Sequence, residues 1–210
     1  MMKLLFFGFI CIYSITQTLS AEVGQIEEGV NDSLLKDTLL MEKTDTDSIN
    51  EHKAAIISSV EGICKQLNEI KKNVDIVSVS LITISTTLKI QNEKKYKEIT
   101  DFLDRLAIYG STVSKDIPKM VVEVKKIKTK IKIAKTVDDL LGVNDDIIAC
   151  MDKLNEYAKA FDLDQEFVQN YLGTETAPLV ELLKKYFTSC IGMLEKLPDQ
   201  LDKYIETLTK

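Results

Sequence analysis

Apolar residues in the middle of the chain recur at helical intervals. They fall at Ile56, Val60, Ile63, Leu67, Ile70, Val74, Val77, Leu81, Ile84 and Leu88, in steps that alternate four and three. A half-buried strand would need steps of two. A local alternation does occur at Val77-Ser78-Val79-Ser80-Leu81, but the longer register runs straight through it. The pattern predicts one long helix. Its β-branched content lowers intrinsic helix propensity, so packing must hold it. Ser48 and Glu51 have the form of a capping box at its start.

Later segments repeat the logic. Val113, Ile117, Met120, Val124, Ile127, Ile131 and Ala134 form a second stripe, with Asp116 as a candidate cap, Pro118 in the first turn and a stop near Gly142. A third stripe is Ile147, Met151, Leu154, Ala158 and Phe161, with Asn144 as its cap. Asp164 to Leu172 reads as a short helix closed by Gly173. Thr176 and Pro178 open another, with Leu179, Leu183, Tyr186, Cys190, Met193 and Leu197. Pro198 then restarts the chain into a last helix with Leu201, Ile205 and Leu208. Residues 90–95 and Gly110-Ser111 are the expected break and turn in the first half. The expectation is an all-α fold: a bundle of about five or six amphipathic helices over residues 48–210, with one long N-terminal helix.

A heptad stripe can also mean a two-stranded coiled coil. Here the d positions are Ile56, Ile63, Ile70, Val77 and Ile84, whereas a parallel dimer prefers Leu at d. The flanking positions, among them Cys64, Gln66, Asn73, Ser78, Ser80, Ser85 and Thr87, lack the charged pairs that choose zipper partners. An intramolecular bundle, monomeric overall, fits better. Ile76, Val79 and Ile82 recur on a second face. A helix that is apolar all round is expected to be buried all round. The alternative is that this face lines an apolar cavity or contacts a partner.

The chain opens MMKLLFFGFICIYSITQTLSAE. A lysine, a short apolar stretch and small residues before Ala21 make residues 1–20 a secretory signal peptide. Residues 21–47 are acidic and weakly patterned, and read as a flexible leader. Asn31 begins a glycosylation sequon, Asn31-Asp32-Ser33. The apolar run from Val74 to Ile90 contains Asp75, Lys89 and many hydroxyls. It falls short of the roughly 20 mostly apolar residues of a spanning helix, so no transmembrane anchor is expected.

Composition narrows the function classes. The chain has 27 Lys+Arg against 33 Asp+Glu, a net charge of −6, and a single histidine, His52, which reads as solvated. No Ser/His or Cys/His pair is signposted, and no glycine-rich phosphate loop or calcium loop appears. The expectation is therefore no enzyme, no metal, no cofactor and no nucleic-acid partner. Lys125, Lys128 and Lys132 share one helical face and are candidates for an anionic surface. Cys11 leaves with the signal peptide. Cys64, Cys150 and Cys190 stay, an odd number for an oxidising compartment. Three pairings can be drawn. The expected one is Cys150–Cys190, with Cys64 free or bridged to another chain. Two functions follow: a secreted helical-bundle protein that binds an extracellular macromolecule, or a carrier holding a lipid-like apolar ligand between its helices.

Overall fold

The computed structural model describes residues 32–209, with side chains from Asp47 onward. The expected signal peptide (residues 1–20), the first part of the expected leader (residues 21–31) and the expected glycosylation site Asn31 lie outside the described residues. The chain divides into two compact units between Asp47 and Ser48. In the first, the backbone is helical from Asp32. The second, Ser48–Lys210, holds the core.

The fold is all-α, with no strand among the described residues. The expected count of five or six helices is corrected: three are long, spanning Asp32–Ile133, Val143–Ala160 and Gly173–Leu194. The first is broken at Asn92 (φ −167°, ψ 93°). We label its arms within the second unit α1 (48–91) and α2 (93–133). Then follow α3 (Val143–Ala160), the short α4 (Gln165–Phe167), α5 (Gly173–Leu194) and α6 (Leu197–Leu208).

Asn92 makes the break. Its extended backbone is that of a helix N-cap, and its Oδ1 accepts the Lys95 N–H at 3.0 Å. The arms then run antiparallel. Lys89 meets Asp104 at 2.6 Å, and Ser85 donates to the Thr100 carbonyl at 3.4 Å. Further down the hairpin, Lys128 pairs with Glu61, and Lys53 donates to the Ala134 carbonyl at 3.5 Å. The other staves follow the same rule. Lys130–Asp146 and Tyr157–Asp116 bind α3 antiparallel to α2, and Lys184 on α5 binds Asp162, just past the end of α3. Met193 abuts Gly62, and residues 172–176 lie beside Val79 and Thr83, so α5 returns along α1. The result is an up-down-up-down square of four helices. The last short helix, α6, covers its open end, where the Tyr204 hydroxyl donates to the Ala134 carbonyl at 3.3 Å.

The α1 stripe from Ile56 to Leu81 is buried throughout, as is the whole α2 stripe. In α5 the inward face holds Leu183 and Cys190 as expected, but Val180, Phe187 and Leu194 take the places expected for Leu179, Tyr186 and Met193, each one position on. Three expected boundaries are corrected. The helix runs unbroken through Ser48, so Ser48 is no cap. Gly110-Ser111 is no turn, and Asp116 opens no helix, because α2 is helical across both. Gly110 is a point of close approach instead: a Cβ there would collide with Ser78 Oγ and stand 3.4 Å from Phe161. Small residues at Ser78, Ser85 and Ser114 are buried on the same hairpin, which lets the two backbones come close. Pro118 is exposed inside α2. Asp116 turns its carboxylate to Lys119 at 2.7 Å and to the Tyr157 hydroxyl at 3.0 Å. These contacts hold that carboxyl down at about 2, the Lys119 hydrogen bond most and the tyrosine next.

Between α2 and α5, Asp164 and the glycines at 142 and 173 mark joints as expected, but Asn144, the expected cap of α3, lies inside that helix, whose N-cap is Gly142. Asp139 caps the turn after α2 by accepting the Thr136 N–H at 3.0 Å. Gly142 takes φ 75° and Gly173 takes φ 68°, left-handed values that suit glycine. Asp164 caps α4 through the Glu166 and Phe167 N–H groups.

Candidate functional site

Ile76, Val79 and Ile82 come together as predicted, but on the outside. They are 41%, 65% and 52% exposed. The expectation that α1 is buried all round is therefore corrected. In a four-helix square each helix turns only one side to the centre, and α1 spends its long stripe there.

This outer face has unusual chemistry for a solvated surface. No charged residue occurs between Asp75 and Lys89. The hydroxyls that interleave the apolar residues are satisfied by their own helix. Ser80, Thr83, Thr86 and Thr87 donate to the carbonyls of Ile76, Val79, Ile82 and Thr83 at 2.9–3.1 Å. A hydroxyl so bonded loses less when water is removed, because its donor already has a partner. The face is therefore cheap to dehydrate. Thr83 and Thr86 were not singled out from sequence; their four-residue spacing onto Val79 and Ile82 of the same face is the signal that would have found them. The helix is long enough to cross a membrane and holds an 18-residue window apolar enough to do so by composition alone, 33% of which is buried in the bundle.

Beside this face runs an open cleft of about 410 Å³, between Val79, Ser80, Thr83 and Ile84 of α1 and residues 172–176. Two further open clefts, of about 260 and 290 Å³, lie between α3 and α5 and between α2 and α3. All three are surface grooves.

The lysine face is also assembled, with a change of role for one member. Lys125 and Lys132 are exposed. Lys128 is half-buried and bridges to Glu61 on α1, which lowers the Glu61 carboxyl. One of the three charges thus serves the α1–α2 pairing. Neighbouring Lys126 and Lys130 are tied to Glu123 and Asp146.

Cys64, Cys150 and Cys190 are all free, so the expected Cys150–Cys190 bridge is not formed in this structure. The helices pair as that bridge required, since α3 and α5 are antiparallel neighbours. Burial raises all three thiols, and pushes Cys190 up to about 12, with Cys150 and Cys64 adding to the rise. Thiolate is the attacking species in disulfide chemistry, so such thiols are slow to react.

The chain matches no protein-family model, no curated protein and no solved structure. Among the described residues, no group of three or more His, Cys, Asp or Glu side chains is placed to hold a metal ion. His52 is partly buried in α1 rather than fully solvated.

Proposed function

We propose that this chain is a secreted, non-enzymatic helical-bundle protein that binds an extracellular macromolecular partner through the outer face of α1. The observation that carries this reading is the uncharged face itself. Three large apolar side chains stand in solvent among hydroxyls that make no demand on it. Contiguous exposed apolar surface of this kind marks contact sites. The grooves between helices are open, which favours contact with a partner over carriage of a lipid-like ligand.

The test is a variant with Ile76→Ser, Val79→Ser and Ile82→Ser together. Exposed substitutions change stability by roughly 0.5 kcal/mol or less each, so helicity and melting temperature are expected to stay near those of the parent. Parent and variant are immobilised and exposed to extracellular fluid from the source organism. The parent is expected to retain a macromolecule at fixed stoichiometry that the variant loses. Equal retention by both, or unfolding of the variant, contradicts the assignment of the face.

A further inference from the structure

We infer that the outer seam of α1 pairs antiparallel with the same seam of a second copy of this chain. This rests on the reading of that face as a contact surface and names its first occupant. The seam is Asp75, Val79, Ile82, Thr86 and Lys89, all exposed, in steps of four, three, four and three. That is the spacing of a coiled-coil seam, and it lies on the side of α1 away from the buried stripe. It spans about 21 Å at the rise of an α-helix.

The seam is self-complementary in one direction only. Antiparallel pairing about Ile82 sets Ile82 on its own copy. It sets Asp75 opposite Lys89 of the second copy, twice by symmetry, with Val79 and Thr86 offset by one residue, about 1.5 Å, in the layers between. Parallel pairing would set aspartate on aspartate and lysine on lysine. An isologous contact of this kind closes as a dimer.

The layers between the charged ends are cheap to bury. Thr86 is bonded to the Ile82 carbonyl, so it needs no partner across the seam. The end charges keep intrachain neighbours, Lys71 for Asp75 and Asp104 for Lys89, so dimerisation extends two existing ion pairs rather than stranding a charge. Ile90 and Ile108, 81% and 69% exposed, lie on the same hairpin and are available to widen the contact. A single helix pair of this length buries less than the roughly 800 Å² per partner of a standard interface. The dimer is therefore weak and concentration-dependent, and the bundle remains complete as a monomer.

Charge exchange tests the geometry. Sedimentation equilibrium is run on the full mature chain over a wide concentration range, with circular dichroism as the folding control. The parent is expected to pass from monomer to dimer. Asp75→Lys alone and Lys89→Asp alone are each expected to weaken self-association about tenfold, because two attractive contacts become repulsive. An equimolar mixture of the two variants is expected to recover dimer, since both of its contacts are again opposite in sign. The double variant carrying both changes should also recover it. A parent that is monomeric throughout overturns the inference, as does a dimer indifferent to both single substitutions. Flotation of a still-monomeric parent with phosphatidylcholine vesicles would assign the face to lipid instead. If the parent is monomeric yet the triple serine variant still loses a retained macromolecule, the dimer fails and the proposed function stands.

Discussion

Val77→Asp is expected to abolish cooperative folding of the bundle or to lower its melting temperature steeply. Val77 is fully buried in the middle of the α1 stripe. A carboxylate there has two courses, and both cost. It can stay charged in an apolar interior, or take up a proton and remain a buried polar group with no partner. Either costs several kcal/mol, against a total stability of about 5–15 kcal/mol for a typical domain. At roughly 2–4 °C per kcal/mol for a chain of this size, the loss is plain in a thermal melt. Val77→Ala, which only removes two methyl groups, should cost much less. Equal melting temperatures for the parent and the aspartate variant would mean that the stripe is not the core.

Phe161→Ala should be the next most damaging change. Phe161 is fully buried where α3 ends. It stacks on Phe187 of α5 with centroids 6.3 Å apart, and it lies 6.4 Å from Tyr109 of α2. It also stands 3.4 Å from where a Gly110 Cβ would be. One ring thus joins three of the four staves. Its removal leaves a cavity that the helix pairing at Gly110 cannot easily collapse, and such truncations cost about 3–5 kcal/mol. Chemical denaturation should show that loss in the midpoint with little change in slope. A loss below about 1 kcal/mol would show that the three helices do not meet there.

The buried faces of α1 and α2 were legible in the sequence, and the outer face of α1 was not. A four-three stripe reports which residues share a face, and the longest apolar stripe became the core. It does not report how many neighbours a helix has. That is why Ile76, Val79 and Ile82 read as buried: apolar content alone cannot separate a central helix from one with a sticky outer side. The hydroxyls settle the difference physically. Ser80 and Thr83 bond to carbonyls of their own helix, so their donors are satisfied whether the face meets water or a partner.

The helix ends divide the same way. Asn92 lay inside the expected break because a polar, charged stretch interrupts the stripe there. Gly110 and Pro118 misled because each usually ends helices. Here glycine admits a neighbouring backbone, and proline faces solvent. Asp116 looked like a cap because its contact, Tyr157, lies 41 residues away and no local pattern announces it. The thiols show a similar limit: the pairing of α3 with α5 followed from their stripes, but the state of Cys150 and Cys190 depends on how deeply each sulfur is buried.

The measurement that tests the account most directly is thiol reactivity on two faces of α1. In a background with Cys64, Cys150 and Cys190 replaced by alanine or serine, and with folding verified, Val79→Cys and Val77→Cys are each treated with a thiol reagent at high dilution. The account predicts that Cys at 79 reacts in the folded protein at close to the rate of an unstructured thiol, and that Cys at 77 reacts only on the timescale of unfolding. Protection at both positions would mean that α1 is buried all round and offers no contact face, and rapid reaction at both would mean that its stripe does not form the core.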